Sequence, residues 1–118
     1  MNRYFGNGTA RTYQRPQVNV YENKDEYLVV GKLPGVDKDN VSLSIKDNII
    51  RISATRKPVQ FEKASLHLKE IEDGTYERSI RFDEKIQPDA ITAEMKNGLL
   101  YVKAPKVPEA KPVTIAIK

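Results

Sequence analysis

From Val41 to Lys46 the chain reads VSLSIK, and apolar and polar positions alternate without a break. Val41, Leu43 and Ile45 share one face of an extended strand, and Ser42 and Ser44 share the other, so one sheet face is dry and one wet. The same period recurs in VNVYEN (Val18 to Asn23), in IIRISATR, where Ile50 and Ile52 alternate with Arg51 and Ser53, and in ITAEMK (Ile91 to Lys96). EYLVVGKL, TYERSIRF and LLYVKAP are further β-favouring runs. Asp47-Asn48 and Asn97-Gly98 each join two such runs and predict two-residue hairpins, while Pro34-Gly35 ends the strand before it. No helical period persists.

Short strands spaced about ten residues apart, with turn signals between them, predict an all-β, immunoglobulin-like antiparallel β-sandwich. Two segments have no obvious place in it. The connection from Arg56 to Gly74 is long for a compact domain and contains SLHLK, where Leu66 and Leu68 at spacing two predict a short strand needing cover. His67, between them, falls on its wet face. The chain also closes on VTIAI, with Val113, Ile115 and Ile117 on one face. That terminal strand either completes its own sandwich or seeks a partner.

Composition sharpens this picture in two respects. At 118 residues the chain is one domain's length, with no cysteine and no apolar run long enough for a transmembrane segment. Without disulfides or a secretory signal pattern, a cytoplasmic protein is expected. The net charge is +4, from 20 basic and 16 acidic residues. Residues 1–16 hold Arg3, Arg11 and Arg15 and no acid, leaving 17 basic against 16 acidic side chains elsewhere. With Tyr4, Phe5 and Tyr13 interleaved, this arm has the makings of a single-strand nucleic-acid contact. Three arginines are few for that role, and a flexible arm with adhesive aromatics is the favoured reading.

Chemistry-bearing motifs are missing. A single histidine leaves no multi-histidine metal site, and no serine has a G-x-S-x-G surround. The glycines form no phosphate-binding loop, and DKDN and EIED lack a calcium-loop pattern. No cofactor, metal, catalytic residue or small-molecule substrate is expected, and the chain reads as a non-enzyme.

LPG (Leu33 to Gly35) followed by VSLSI, then NGLLYVKAPK (Asn97 to Lys106), then Ile115-Ala116-Ile117 resemble, in this order and spacing, the α-crystallin domain of small heat-shock proteins. Glu70, Gly74, Tyr76 and Arg78 also match a pattern of that family. The chain departs from it at Phe82-Asp83, where Leu-Pro is common, and in its short arm. The resemblance implies an arm over 1–16, a sandwich over 17–104 and a C-terminal extension over 105–118. It implies that Val113, Ile115 and Ile117 anchor in a neighbour's groove made by VSLSIK and ITAEMK, with Val41, Leu43, Ile45, Ala93 and Met95 as groove residues. It further implies dimers by strand exchange, SLHLK pairing with the partner's VNVYE, through Val18, Val20, Leu66, Leu68, Glu70 and Arg78.

An exposed edge strand is a template for strand addition, which makes this arrangement physically reasonable. Burying two isoleucines contributes roughly 3 to 6 kcal/mol. Ordering five or six tail residues costs a similar amount, at about 1 to 2 kcal/mol each. One tail therefore binds weakly, and several in a closed assembly bind firmly through effective concentration. The function implied is an ATP-independent holdase that binds partly unfolded client proteins and prevents their aggregation, with Tyr4, Phe5 and Tyr13 as client contacts. The alternative is a sandwich-shaped co-chaperone or scaffold docking on one defined partner, which would not need the tail. A carbohydrate-binding or enzymatic sandwich is a third class, and the absence of tryptophan counts against it.

Overall fold

Among the described residues the alternating runs become eight strands in two sheets: β1 Tyr13–Gln14, β2 Val18–Glu22, β3 Glu26–Lys32, β4 Val41–Lys46, β5 Ile49–Arg56, β6 Gly74–Arg81, β7 Thr92–Lys96 and β8 Leu99–Pro105. The structure is a computed structural model, and it describes residues 13–71, 74–108 and 116–117. One sheet has the order β1-β6-β5-β4 and the other β2-β3-β8-β7. All pairings are antiparallel except the short parallel β1–β6 contact.

Both predicted hairpins form for the reason the residues suggest. Asp47 and Asn48 have φ of 52° and 64°, and Asn97 and Gly98 have 53° and 77°, the paired positive values of a type I′ turn, which matches the twist of its strands. At Gly98 an added Cβ would also come within 3.4 Å of Pro34 Cα, and the Leu33 N–H donates to the Gly98 carbonyl at 2.9 Å. The two best-marked motifs of the sequence, LPG and NGLL, therefore touch.

The core is drawn from the inward positions of both sheets. Val29, Leu100 and Val102 of one sheet meet Ile50, Ile52 and Ala54 of the other, with Leu33, Phe82 and Ile86 closing the ends. Phe82 lies 4.5 Å, centroid to centroid, from Tyr27. The turn after β6, where Phe82-Asp83 stands in the sequence, is held by Asn48. Its amide donates to the Phe82 and Glu84 carbonyls at 2.7 and 2.8 Å, and its Oδ1 accepts from Ile86 N–H at 2.9 Å. One side chain thus ties the β4–β5 hairpin to the connection leading to β7.

Two expectations need correction. SLHLK is not a strand here: residues 64–70 carry no ladder, and Leu66 and Leu68 are about three-quarters exposed. Period two gives a strand only where another strand supplies hydrogen bonds, and none among the described residues pairs with the loop. The stretch expected to be a free arm up to Pro16 is fastened at its end. Tyr13 and Gln14 pair with Thr75 and Tyr76, and Pro16 is buried with its carbonyl accepting from Arg78 Nη1 at 3.1 Å. At the other end the sandwich continues two residues past 104. Pro105 closes β8, and Lys106 is bridged to Ile86.

Candidate functional site: a groove between two edge strands

β4 ends one sheet and β7 ends the other, so among the described residues each has one side without a ladder partner. The space between them is apolar. Leu43, Ile45, Ile50, Pro88, Ile91 and Ala93 line a cavity of about 220 Å³. Beside it Val41, Leu43, Ala93 and Met95, with Lys38 and Glu94 at the rim, line a second of about 450 Å³. Val41, Leu43, Ile45 and Met95 are half-buried against the core, and Ala93 is exposed.

All five groove residues expected from the sequence therefore meet. Ile91, Pro88 and Ile50 belong with them and were missed. Ile91 precedes Ala93 and Met95 at the same spacing of two, which is the signal that would have found it. Pro88, in a 3-10 turn, carries no such signal.

The second candidate surface is the loop after β5. Val59, Phe61, Leu66, Leu68 and Ile71 are all more than 70% exposed, and they surround a shallow cavity of about 590 Å³. Glu70 is exposed beside them. Across the molecule β2 is the edge of its sheet, with Val20 and Tyr21 about half exposed and Val18 packed against the core. Arg78 is half-buried, and its Nε has no hydrogen-bond partner among the described residues. Tyr4, Phe5, Val113 and Ile115 lie outside the described residues, Tyr13 is described through its backbone pairing with Thr75, and Ile117 is exposed.

One charged cluster was not foreseen. Lys106 is buried, with its Nζ 2.7 Å from Glu22 Oε2, 3.2 Å from Glu84 Oε2 and 5.0 Å from the centre of the Tyr27 ring. The hydrogen bond from Lys106 holds the Glu22 carboxyl below its ordinary pKa, against an opposing effect of burial. The hydrogen bond to Glu22, helped by that to Glu84, holds the Lys106 ammonium above its own. The backbone here is pinned as well: Lys106 N–H donates to Asp25, and Val107 N–H to Lys85, both at 2.8 Å. The sandwich therefore holds the chain as far as Val107.

With this geometry in place, comparison with known proteins is informative. The profile of the Hsp20/alpha crystallin family matches residues 19–118. The chain belongs to this family. Small heat shock protein C4 of Rickettsia felis is 34% identical over 103 residues, covering 86% of this chain and 63% of that protein. The 17.6 kDa class I heat shock protein 3 of Arabidopsis thaliana is 34% identical over 102 residues, covering 85% and 65%. The chain thus spans just under two thirds of either small heat shock protein. Heat shock protein 16.0 from Schizosaccharomyces pombe superposes with a TM-score of 0.73 at 32% identity, over 88% of this chain and 98% of that one. A small heat-shock protein from Xylella fastidiosa shares the fold, with a TM-score of 0.76 at 22% identity over 91% and 99%. The sandwich is accordingly an α-crystallin domain. Among the described residues no helix is long and apolar enough to cross a membrane.

Proposed function

We propose that this small heat-shock protein is an ATP-independent holdase of the cytoplasm, not an enzyme. In this reading it binds partly unfolded client proteins and assembles from strand-exchanged dimers into oligomers. The observation that carries this reading is the apolar groove between two strands that, among the described residues, end their sheets. Backbone donors and acceptors on β4 and β7 invite an extended segment, and side-chain cavities on either side of Leu43 suit residues spaced two apart. Ile115 and Ile117 of a neighbouring chain, with Val113, are the proposed occupants.

The dimer is proposed to form by the loop. Leu66 and Leu68 stand in water in a single chain, and β2 offers an open edge, so pairing SLHLK with the partner's Val18–Glu22 would satisfy both at once. Glu70 and Arg78 are the polar members proposed for that contact. Undocking of tails would uncover groove residues to clients, with Tyr4, Phe5 and Tyr13 of the arm as further contacts.

The test is solution mass by light scattering after size exclusion, comparing the full chain with one ending at Pro108, which keeps Lys106 and Val107 in place. A large particle that falls to a dimer supports tail-in-groove assembly. Suppression of thermal aggregation of a heat-labile enzyme without ATP then supports the holding activity. The same small species with and without the tail would sink the assembly reading and favour a module that docks on one defined partner.

A further inference from the structure

The chain contains no cysteine, and its two methionines are Met1 and Met95. Met95 is therefore the only sulfur in the sandwich. With tryptophan absent as well, its thioether has no cysteine or indole to compete with it for a mild oxidant.

The β7–β8 hairpin sets where that sulfur lies. Met95 pairs with Leu100, which is buried, and residues directly opposite in a ladder share a face, so Met95 turns inward and packs half-buried against the core. Because β7 ends its sheet among the described residues, the same side chain also faces the groove. With Val41, Leu43 and Ala93 it lines the cavity of about 450 Å³ that has Lys38 and Glu94 at its rim. A molecule as small as a peroxide reaches a half-buried thioether on such a cavity. An isoleucine seated there would cover it.

A thioether is soft and apolar and makes a good floor for an isoleucine. Peroxide changes that floor without breaking the chain. The sulfur attacks one peroxide oxygen, an S–O bond forms as the O–O bond breaks, the sulfur gives up two electrons, and hydrogen peroxide is reduced to water. The product is a polar sulfoxide whose oxygen accepts hydrogen bonds. An isoleucine has no donor to offer it, so covering the sulfoxide leaves a buried polar group unpaired. In the empty groove it has water, and the Lys38 ammonium lines the same cavity. Oxidation therefore favours the empty groove.

We propose that Met95 is a peroxide-sensitive modification site that controls tail docking: the thioether receives the tail, the sulfoxide excludes it, and a methionine sulfoxide reductase resets the site. The inference rests on the tail-in-groove reading and adds a regulation to that same site. Each docking should weaken by about tenfold on oxidation. Because several weak tails hold a closed assembly together, the particle should come apart steeply as the oxidised fraction rises.

The test treats the full chain with hydrogen peroxide and follows particle mass by light scattering, the fold by circular dichroism and the tryptic peptides by mass spectrometry. Cleavage after Lys85 and Lys96 puts Met95 in the peptide 86–96, and cleavage after Arg3 puts Met1 in the peptide 1–3. Particle mass should fall as peptide 86–96 gains oxygen, with the β spectrum kept, and should recover when reductases for both sulfoxide epimers are added with a reductant. Met95→Leu removes the sulfur and keeps an apolar side chain of similar volume. It should hold in peroxide whatever mass it has without it. In Ile115→Ala with Ile117→Ala, which removes the proposed occupant, Met95 should oxidise several times faster than in the unsubstituted chain. A particle that keeps its mass with Met95 oxidised, or loses it in step with peptide 1–3 or with the β spectrum, overturns the switch, as do equal oxidation rates in the two chains. If the doubly substituted chain forms the same large particle, the tail-in-groove reading itself falls; loss of that particle, beside an unsubstituted particle indifferent to oxidation, removes only the role of Met95.

Discussion

Leu43 of β4 and Ala93 of β7 both line each of the two cavities of the groove, so edge strands of opposite sheets meet across one apolar seam. Leu43 is half-buried and committed to the core, whereas Ala93 is exposed. The two sides of the seam are therefore unequal as targets for substitution. Ala93→Glu should fold normally while placing a charge where an isoleucine is proposed to dock. The expected outcome is loss of the large particle with little change in thermal midpoint, read by light scattering and calorimetry. An unchanged particle would remove the groove from the assembly.

Leu66→Ser combined with Leu68→Ser addresses the other joint. Both side chains are solvated in the single chain, so the substitution costs the monomer little. If the loop pairs with a partner's β2, sedimentation should show dimers giving way to monomers, with a dissociation constant weakened by about tenfold or more per leucine. A dimer of undiminished affinity would place the interface elsewhere.

Asn48→Ala tests the tie between the hairpin and the turn at Phe82-Asp83. Three hydrogen bonds vanish, one leaving the Ile86 N–H without its acceptor, and a residue tolerant of positive φ is lost at φ 64°. The expected cost is about 2 to 4 kcal/mol, measured as a lower urea midpoint in a tail-less chain. A change within error would mean that the turn holds itself.

The Glu22–Lys106 pair predicts a pH dependence with two edges. Glu22 is held below the ordinary value of 4.5, so its contribution is present above that pH and is lost as pH falls through the lowered folded value. Lys106 is held above 10.5, so its contribution is present below that pH and is lost as pH rises through the raised folded value. The difference in urea midpoint between the unsubstituted chain and Glu22→Gln should be widest near neutrality and close at both extremes. A difference that does not vary with pH would mean the charge on Glu22 contributes nothing.

The hairpins at Asp47-Asn48 and Asn97-Gly98, the core positions of β5 and the period of β4 could all be read from the sequence. Each depends on the local geometry of a few adjacent residues: which side chains tolerate positive φ, and which alternate positions share a face. The groove was legible to the extent that Val41, Leu43, Ile45, Ala93 and Met95 show that alternation, and Pro88 joined it only through folding. Period two also marks SLHLK as strand-like, but a ladder needs a second strand, and the described residues of the single chain provide none. The period of β3 is hidden in the sequence because Tyr27 to Val30 are apolar without interruption. Only the fold, which buries Tyr27 and Val29 and sets Leu28 beside Lys103 and Val30 beside Tyr101, shows which of them face outward. Lys106 is similar: in the sequence it is one more lysine after a proline. The fold places it between Glu22 at the end of β2 and Glu84 in the turn after β6, and the hydrogen bonds to those carboxylates hold its charge against burial.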